Sequence, residues 1–162
     1  EIIMSSAKNS SSQQALVVPG LDPEMAANVI DTLTKLGFTP AVFDTQDKNA
    51  PKELIEGFDK YKDAALAVVI LADDEVGTLR LEFPKNVKLR AKPQVVFLGG
   101  FLLGKFGTEK VVFIYLPRQN FEFPFEMENL SSIPYDDKNR WHFDFLKELK
   151  SRGFAVDANQ LI

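Results

Sequence analysis

Apolar positions recur along the chain in two rhythms. Five short runs carry the density and boundaries of strands: Ala15–Val18, Thr39–Phe43, Ala64–Leu71, Lys110–Leu116 and Ser132–Tyr135. Between them, apolar residues return at helical spacing. Met25, Ala26, Val29, Ile30, Leu33 and Leu36 define a first helix, with Asp22 as its cap, Pro23 in its first turn and Gly37 as its stop. The polar stretch Asp44–Ala50 leads into a second helix from Pro51, with Leu54, Ile55, Phe58 and Tyr61 on one face. The uninterrupted run Val95–Leu103 predicts a buried helix over Pro93–Gly104. Trp141, Phe145 and Leu149 place a last one over Lys138–Arg152, ended by Gly153. The run from Ala64 to Leu71 is apolar at nearly every position, as a central parallel strand covered on both faces must be. It gives way to Asp73-Asp74-Glu75 and a loop of about fifteen residues, a length that points to function.

Strands alternating with helices predict an α/β fold, a doubly wound five-stranded parallel sheet in the order 2-1-3-4-5. Ligands of such sheets bind beyond the carboxyl ends of the strands, at the switch point between the first and third. The loops Pro19–Asp22, Asp73–Thr78 and Leu116–Leu130 and the start of the buried helix lie on that edge. Residues 1–14 read as a tail or linker, because Ser5–Gln14 has no apolar periodicity, and 15–162 as one domain.

Composition narrows the chemistry. Over 162 residues, 45% hydrophobic and 26% charged content is ordinary for a globular domain. A net charge of −4 argues against nucleic acid or anionic membranes as partners. No cysteine is present, which excludes disulfides, thiolate metal sites and cysteine nucleophiles and agrees with an expected cytoplasmic location. The single histidine, His142, removes most zinc sites and Ser-His-Asp chemistry and reads as an exposed residue. No run reaches the roughly 20 apolar residues of a membrane span. No G-x-G-x-x-G follows the first strand, and no Walker-type lysine is present. A two-component receiver would need paired acids ending strand one and a lysine after strand five, where this chain has Val18-Pro19 and Tyr135-Asp136.

From Ala15 to the C-terminus the motifs resemble the TIR-like predicted nucleotide-binding domains of bacteria. The second helix, Leu54-Ile55-Glu56-Gly57-Phe58-Asp59-Lys60-Tyr61, is similar to that family's Ile-Ile-Glu-Lys-Phe-Glu pattern. The segment VVILADDEVG, Val68–Gly77, matches its third strand, and Ile133–Phe154, with Trp141, its last helix. In RAKPQVVFLGGFLLGKFG, residues Arg90, Phe97, Gly100, Phe101, Leu103, Gly104 and Lys105 align, while the family's glutamate falls on Leu98. The family's first loop, His-Gly-(Arg or His)-Asp, reads Pro19-Gly20-Leu21-Asp22 here. The resemblance implies a flavodoxin-like, TIR-like fold and a role in signalling or antiphage defence. It further implies NAD or a related nucleotide as ligand, and self-association or a partner domain. In active relatives the glutamate is the residue expected to engage the nicotinamide ribose of NAD during cleavage.

By that resemblance the ligand-binding candidates are Gly20, Asp22, Asp73, Asp74 and Arg90, with no catalytic or metal-binding residue assigned. Each has a plainer reading: Asp22 as a helix cap, Asp73 and Asp74 as a solvated turn, Arg90 as a surface arginine. Gly99 and Gly100 read as close-packing positions, and the aromatic loop Phe121–Met127 as a lid over the sheet edge. Leucine at 98 offers neither a hydrogen-bond acceptor nor a charge. The expectation is a nucleotide-binding or signalling module without competent NAD cleavage. The alternatives are an NAD nucleosidase using Asp22, Asp73 or Asp74 instead, and a protein-interaction module.

Overall fold

The computed structural model describes residues 13–126 and 130–162. Five parallel strands, β1 (Gln14–Val18), β2 (Thr39–Val42), β3 (Leu66–Leu71), β6 (Val111–Tyr115) and β8 (Ser132–Pro134), form one sheet in the order β2-β1-β3-β6-β8. Taken in chain order these five give 2-1-3-4-5, as the alternation predicts. Alternation along each strand sorts the side chains into two cores. Ala15 and Val17 of β1 and Leu66, Val68 and Ile70 of β3 join α1 (Pro23–Lys35) and α4 (Trp141–Ser151) on one face. Leu16, Val18, Ala67, Val69 and Leu71 join α2 (Ala50–Glu56) and α3 (Pro93–Phe106) on the other.

Helix α3 is the segment expected to be helical and buried, and its Val95, Leu98, Gly99 and Leu102 line the sheet. Gly99 lies so close that a Cβ there would stand 3.2 Å from Val69 Cγ1, whereas one at Gly100 would meet open space. The packing role assigned from sequence therefore belongs to Gly99 alone. Helix α4 begins at Trp141, three residues later than predicted, because Asp136 takes over the capping of the preceding turn.

The long loop after β3 is not structureless. It contains β4 (Glu75–Gly77) and β5 (Lys88–Arg90), antiparallel to each other, and β7 (Phe121–Glu122) pairs with β5 to make a second, three-stranded sheet. The pattern gives no warning of this sheet, since its strands are too short for periodicity to show. Phe121 and Phe123 pack on Tyr115, and Phe125 on Phe113, so the aromatic loop covers the sheet edge as expected up to Glu126. Its last residue, Met127, lies outside the described residues, as does the expected tail through residue 12, while Gln14 already belongs to β1. Among the described residues, no helix is long and apolar enough to cross a membrane.

Candidate functional site

Strand β3 ends by delivering two aspartates to the carboxyl edge, and Asp74 is the hub of what forms there. Its Oδ1 accepts from the Leu21 N–H at 2.7 Å, and its Oδ2 from the Lys92 N–H at 3.0 Å. One carboxylate thus joins the β1–α1 loop to the start of α3. Lys92 Nζ donates to the Thr45 carbonyl at 3.0 Å, and Thr45 Oγ1 donates to the Pro19 carbonyl at 2.9 Å. The loops after β1, β2 and β3 and the head of α3 are closed into one ring of hydrogen bonds. Gly20 makes the closure feasible, because a Cβ there would stand 2.9 Å from Asp74 Oδ1 and 3.1 Å from Ala72 Cβ.

The other candidates join the same edge, each with a partner of its own. Asp22 caps α1, its Oδ1 accepting from the Met25 N–H at 3.0 Å. Asp73 faces Arg118 at 3.4 Å. Arg90 pairs with Glu75 at 3.0 Å and packs against Gly77, where a Cβ would collide with its guanidinium. The solvated-turn reading of Asp74 is therefore corrected: its carboxylate is held by an exposed and a half-buried backbone N–H, at Leu21 and Lys92, whereas Asp73 is held by the Arg118 side chain. The surface-arginine reading of Arg90 gives way to an ion pair at the base of the β4–β5 hairpin.

Leu98 is 0% exposed and sits in the apolar cluster with Leu16, Val18, Val69, Leu71 and Val95. The side chain that the resemblance aligns with a glutamate is thus a core leucine packed among apolar neighbours.

Sequence reasoning missed Lys92 and Thr45. A lysine at a helix N-terminus opposes the helix dipole, and that anomaly at Lys92-Pro93 was the available signal; Thr45 has none in a polar loop. It also missed Asp136, whose oxygens accept from the N–H groups of Lys138, Arg140 and Trp141 at 2.9, 3.1 and 2.8 Å. Partial desolvation pushes the Asp136 carboxyl up, but these donors outweigh it and hold it below the usual range. His142 is half-buried rather than exposed, with Nε2 3.0 Å from Thr32 Oγ1. The Thr32 hydroxyl donates to the Asn28 carbonyl at 2.8 Å, so Nε2 carries the hydrogen in that contact. Burial, assisted by Lys35, lowers the His142 pKa against the opposing pull of Asp136 and Asp31.

A cleft of about 640 Å³ opens at the opposite, amino edge of the sheet, lined among others by Lys110, Ser131, Glu148 and Arg152. Its polar groups are already joined to one another. Arg152 Nε bonds Glu148 at 2.9 Å, Nη2 bonds the Val111 carbonyl at 3.1 Å and Nη1 the Glu109 carbonyl, while Ser131 donates to Glu148 at 2.5 Å. Desolvation raises the Glu148 carboxyl, but the bonds from Ser131 and Arg152 and the guanidinium charge bring it below its ordinary value. This cleft is a joint between α4 and the sheet.

The model of the family described as "CAP12/Pycsar effector protein, TIR domain" matches residues 14–137, which takes in β1 through β8 and the whole carboxyl edge. The chain is also similar to the uncharacterized protein YuaY of Escherichia coli (strain K12), 22% identical over 152 residues. That match covers 93% of this chain and 49% of YuaY, so the chain spans about half the length of this relative.

Proposed function

The chain belongs to the CAP12/Pycsar effector TIR-domain family, and from that premise we propose that it is a nucleotide-recognising signalling module that does not cleave NAD. The observation that carries the reading is Leu98, fully buried where the family's glutamate would stand. Cleaving the bond between nicotinamide and ribose builds positive charge on the sugar, and a carboxylate close to that charge is what lowers the barrier. Leu98 supplies neither charge nor acceptor, and the apolar cluster around it would resist either. The residues present do not fit the cleavage reaction.

The other acids do not stand in readily. Both oxygens of Asp74 already accept backbone N–H groups, Asp22 caps α1, and Asp73 faces Arg118. Their remaining lone pairs suit ribose hydroxyls better than catalysis, so the proposed ligand is a nucleotide held at Gly20, Asp22, Asp73, Asp74 and Arg90. Signalling in defence, action in the cytoplasm, and output through self-association or a partner domain complete the proposal.

The test is release of nicotinamide from NAD at high protein concentration. The expected result is no turnover above background, with Asp22→Ala and Asp74→Ala indistinguishable from the parent. Robust turnover that either aspartate variant abolishes would overturn the reading. Thermal shift with NAD, ADP-ribose, ATP and cyclic nucleotides tests recognition, since a ligand of the folded state raises the melting temperature by mass action. No shift with any of them would remove the nucleotide from the proposal.

A further inference from the structure

Between β4 and β5 the chain projects a finger, Thr78–Val87, that displays apolar side chains to solvent. Leu79, Leu81 and Phe83 are 70%, 87% and 72% exposed. The finger has a defined shape: Thr78 Oγ1 donates to the Lys85 carbonyl at 3.2 Å, and the Glu82 and Lys85 N–H groups bond the Leu79 and Glu82 carbonyls at 2.9 and 2.7 Å. The Arg90–Glu75 pair fixes its base. Side chains held this way form a standing apolar surface, and such surfaces mark interaction sites.

Three further features define what fits it. A cleft of about 420 Å³ runs between the finger and Arg90, walled by Val76, Thr78, Arg80, Phe83 and Val87. The outer edge of β4 has no strand partner among the described residues. Arg80, Lys85 and Lys88 surround this surface, and none has an ion-pair partner among the described residues. Glu82 is the one acid on the finger, in a chain whose net charge is −4.

We propose that this face docks an extended acidic segment of a partner protein, laid along the open edge of β4. Its apolar side chains meet Val76, Leu81 and Phe83, and its carboxylates meet Arg80, Lys85 and Lys88. Strand addition supplies backbone hydrogen bonds for affinity, while alternate side chains supply specificity. An anionic bilayer matches the basic residues less well, because Glu82 stands between Leu81 and Phe83 and would have to enter the apolar layer with them. The proposal is independent of Leu98 and of NAD.

The probe is a fluorescein-labelled peptide alternating glutamate and leucine, followed by anisotropy, with an alternating lysine–leucine peptide as charge control. Saturable binding of the acidic peptide is expected, weakening with salt. Arg80→Glu with Lys85→Glu, and separately Leu81→Ser with Phe83→Ser, should each weaken it by about tenfold or more, with melting temperatures unchanged because all four side chains project from the finger. Phosphatidylserine–phosphatidylcholine vesicles and light scattering complete the set. Equal affinity for both peptides, no saturable binding, or indifference to both variant pairs would overturn the proposal. So would binding to vesicles in place of the peptide, or a dimer that dissociates in the Leu81→Ser, Phe83→Ser variant.

Discussion

Asp74→Ala should destabilise the domain more than any other single change among the candidate residues at the carboxyl edge. The carboxylate accepts two backbone N–H groups, and hydrogen bonds to a charged group contribute about 1.5–3 kcal/mol each. Water can replace the acceptor at Leu21, which is exposed, but less well at Lys92, which is half-buried. The net loss is then about 2–4 kcal/mol, equivalent to roughly 5–15 °C in Tm for a domain of this size. Gly20→Ala should cost about 1–3 kcal/mol in the parent, because the new methyl would meet Asp74 Oδ1 at 2.9 Å. In the Asp74→Ala background that collision disappears and only the 3.1 Å approach to Ala72 remains. The two changes should therefore be non-additive, with a coupling of about 1 kcal/mol. Urea unfolding of the four proteins in the cycle measures all three quantities. A loss below about 0.5 kcal/mol for Asp74→Ala, or strict additivity, would refute the view of Asp74 as the clamp of these loops.

Leu98→Glu is expected to lower stability by at least about 2 kcal/mol, since it places a carboxyl in an apolar cluster, and to restore no nicotinamide release; a gain of activity with unchanged Tm would contradict the burial argument. Arg152→Met should cost about 2–4 kcal/mol in urea unfolding, as two carbonyls and Glu148 lose their donor together. The Glu148 carboxyl is depressed in the folded state, so its contribution is present above the unfolded value of about 4.5 and is lost as pH falls through the folded one; Glu148→Gln should flatten the acid limb of the stability curve. His142 is also depressed, but it is a base that folds neutral: its contribution is full above about pH 6.5 and declines as pH falls from there toward the folded pKa. The urea midpoint of the parent should drop over that window more than that of His142→Gln, and parallel curves would contradict the assignment.

The fold was legible because strand and helix periods differ and the chain keeps both. Ala64–Leu71 has the composition of a doubly covered strand, and Met25, Val29 and Leu33 that of one buried helix face. The small sheet was illegible because β4, β5 and β7 are two or three residues each, too short for any period. At the edge, the switch-point rule brought together the loops after β1 and β3 and the head of α3, as the structure does, yet it left out the loop after β2 that carries Thr45 and could not show how they are joined. Asp74, Lys92 and Thr45 meet only through the crossovers, with 18 and 47 positions of chain between the bonded residues. Leu98 was visible as a mismatch in a motif; that its side chain is fully buried is a property of packing.

Gly99 gives that last point a consequence for sequence space. Its missing methyl lets α3 rest against Val69 and Phe113, at 3.2 and 3.5 Å from where a Cβ would be. Turning the helix about its axis to lift position 98 out of the core would swing a full side chain into that gap. Close contact at Gly99 therefore holds this face of the helix on the sheet, and Leu98, on the same face, is held in the core with it. An acid introduced at 98 alone is trapped facing leucines and valines.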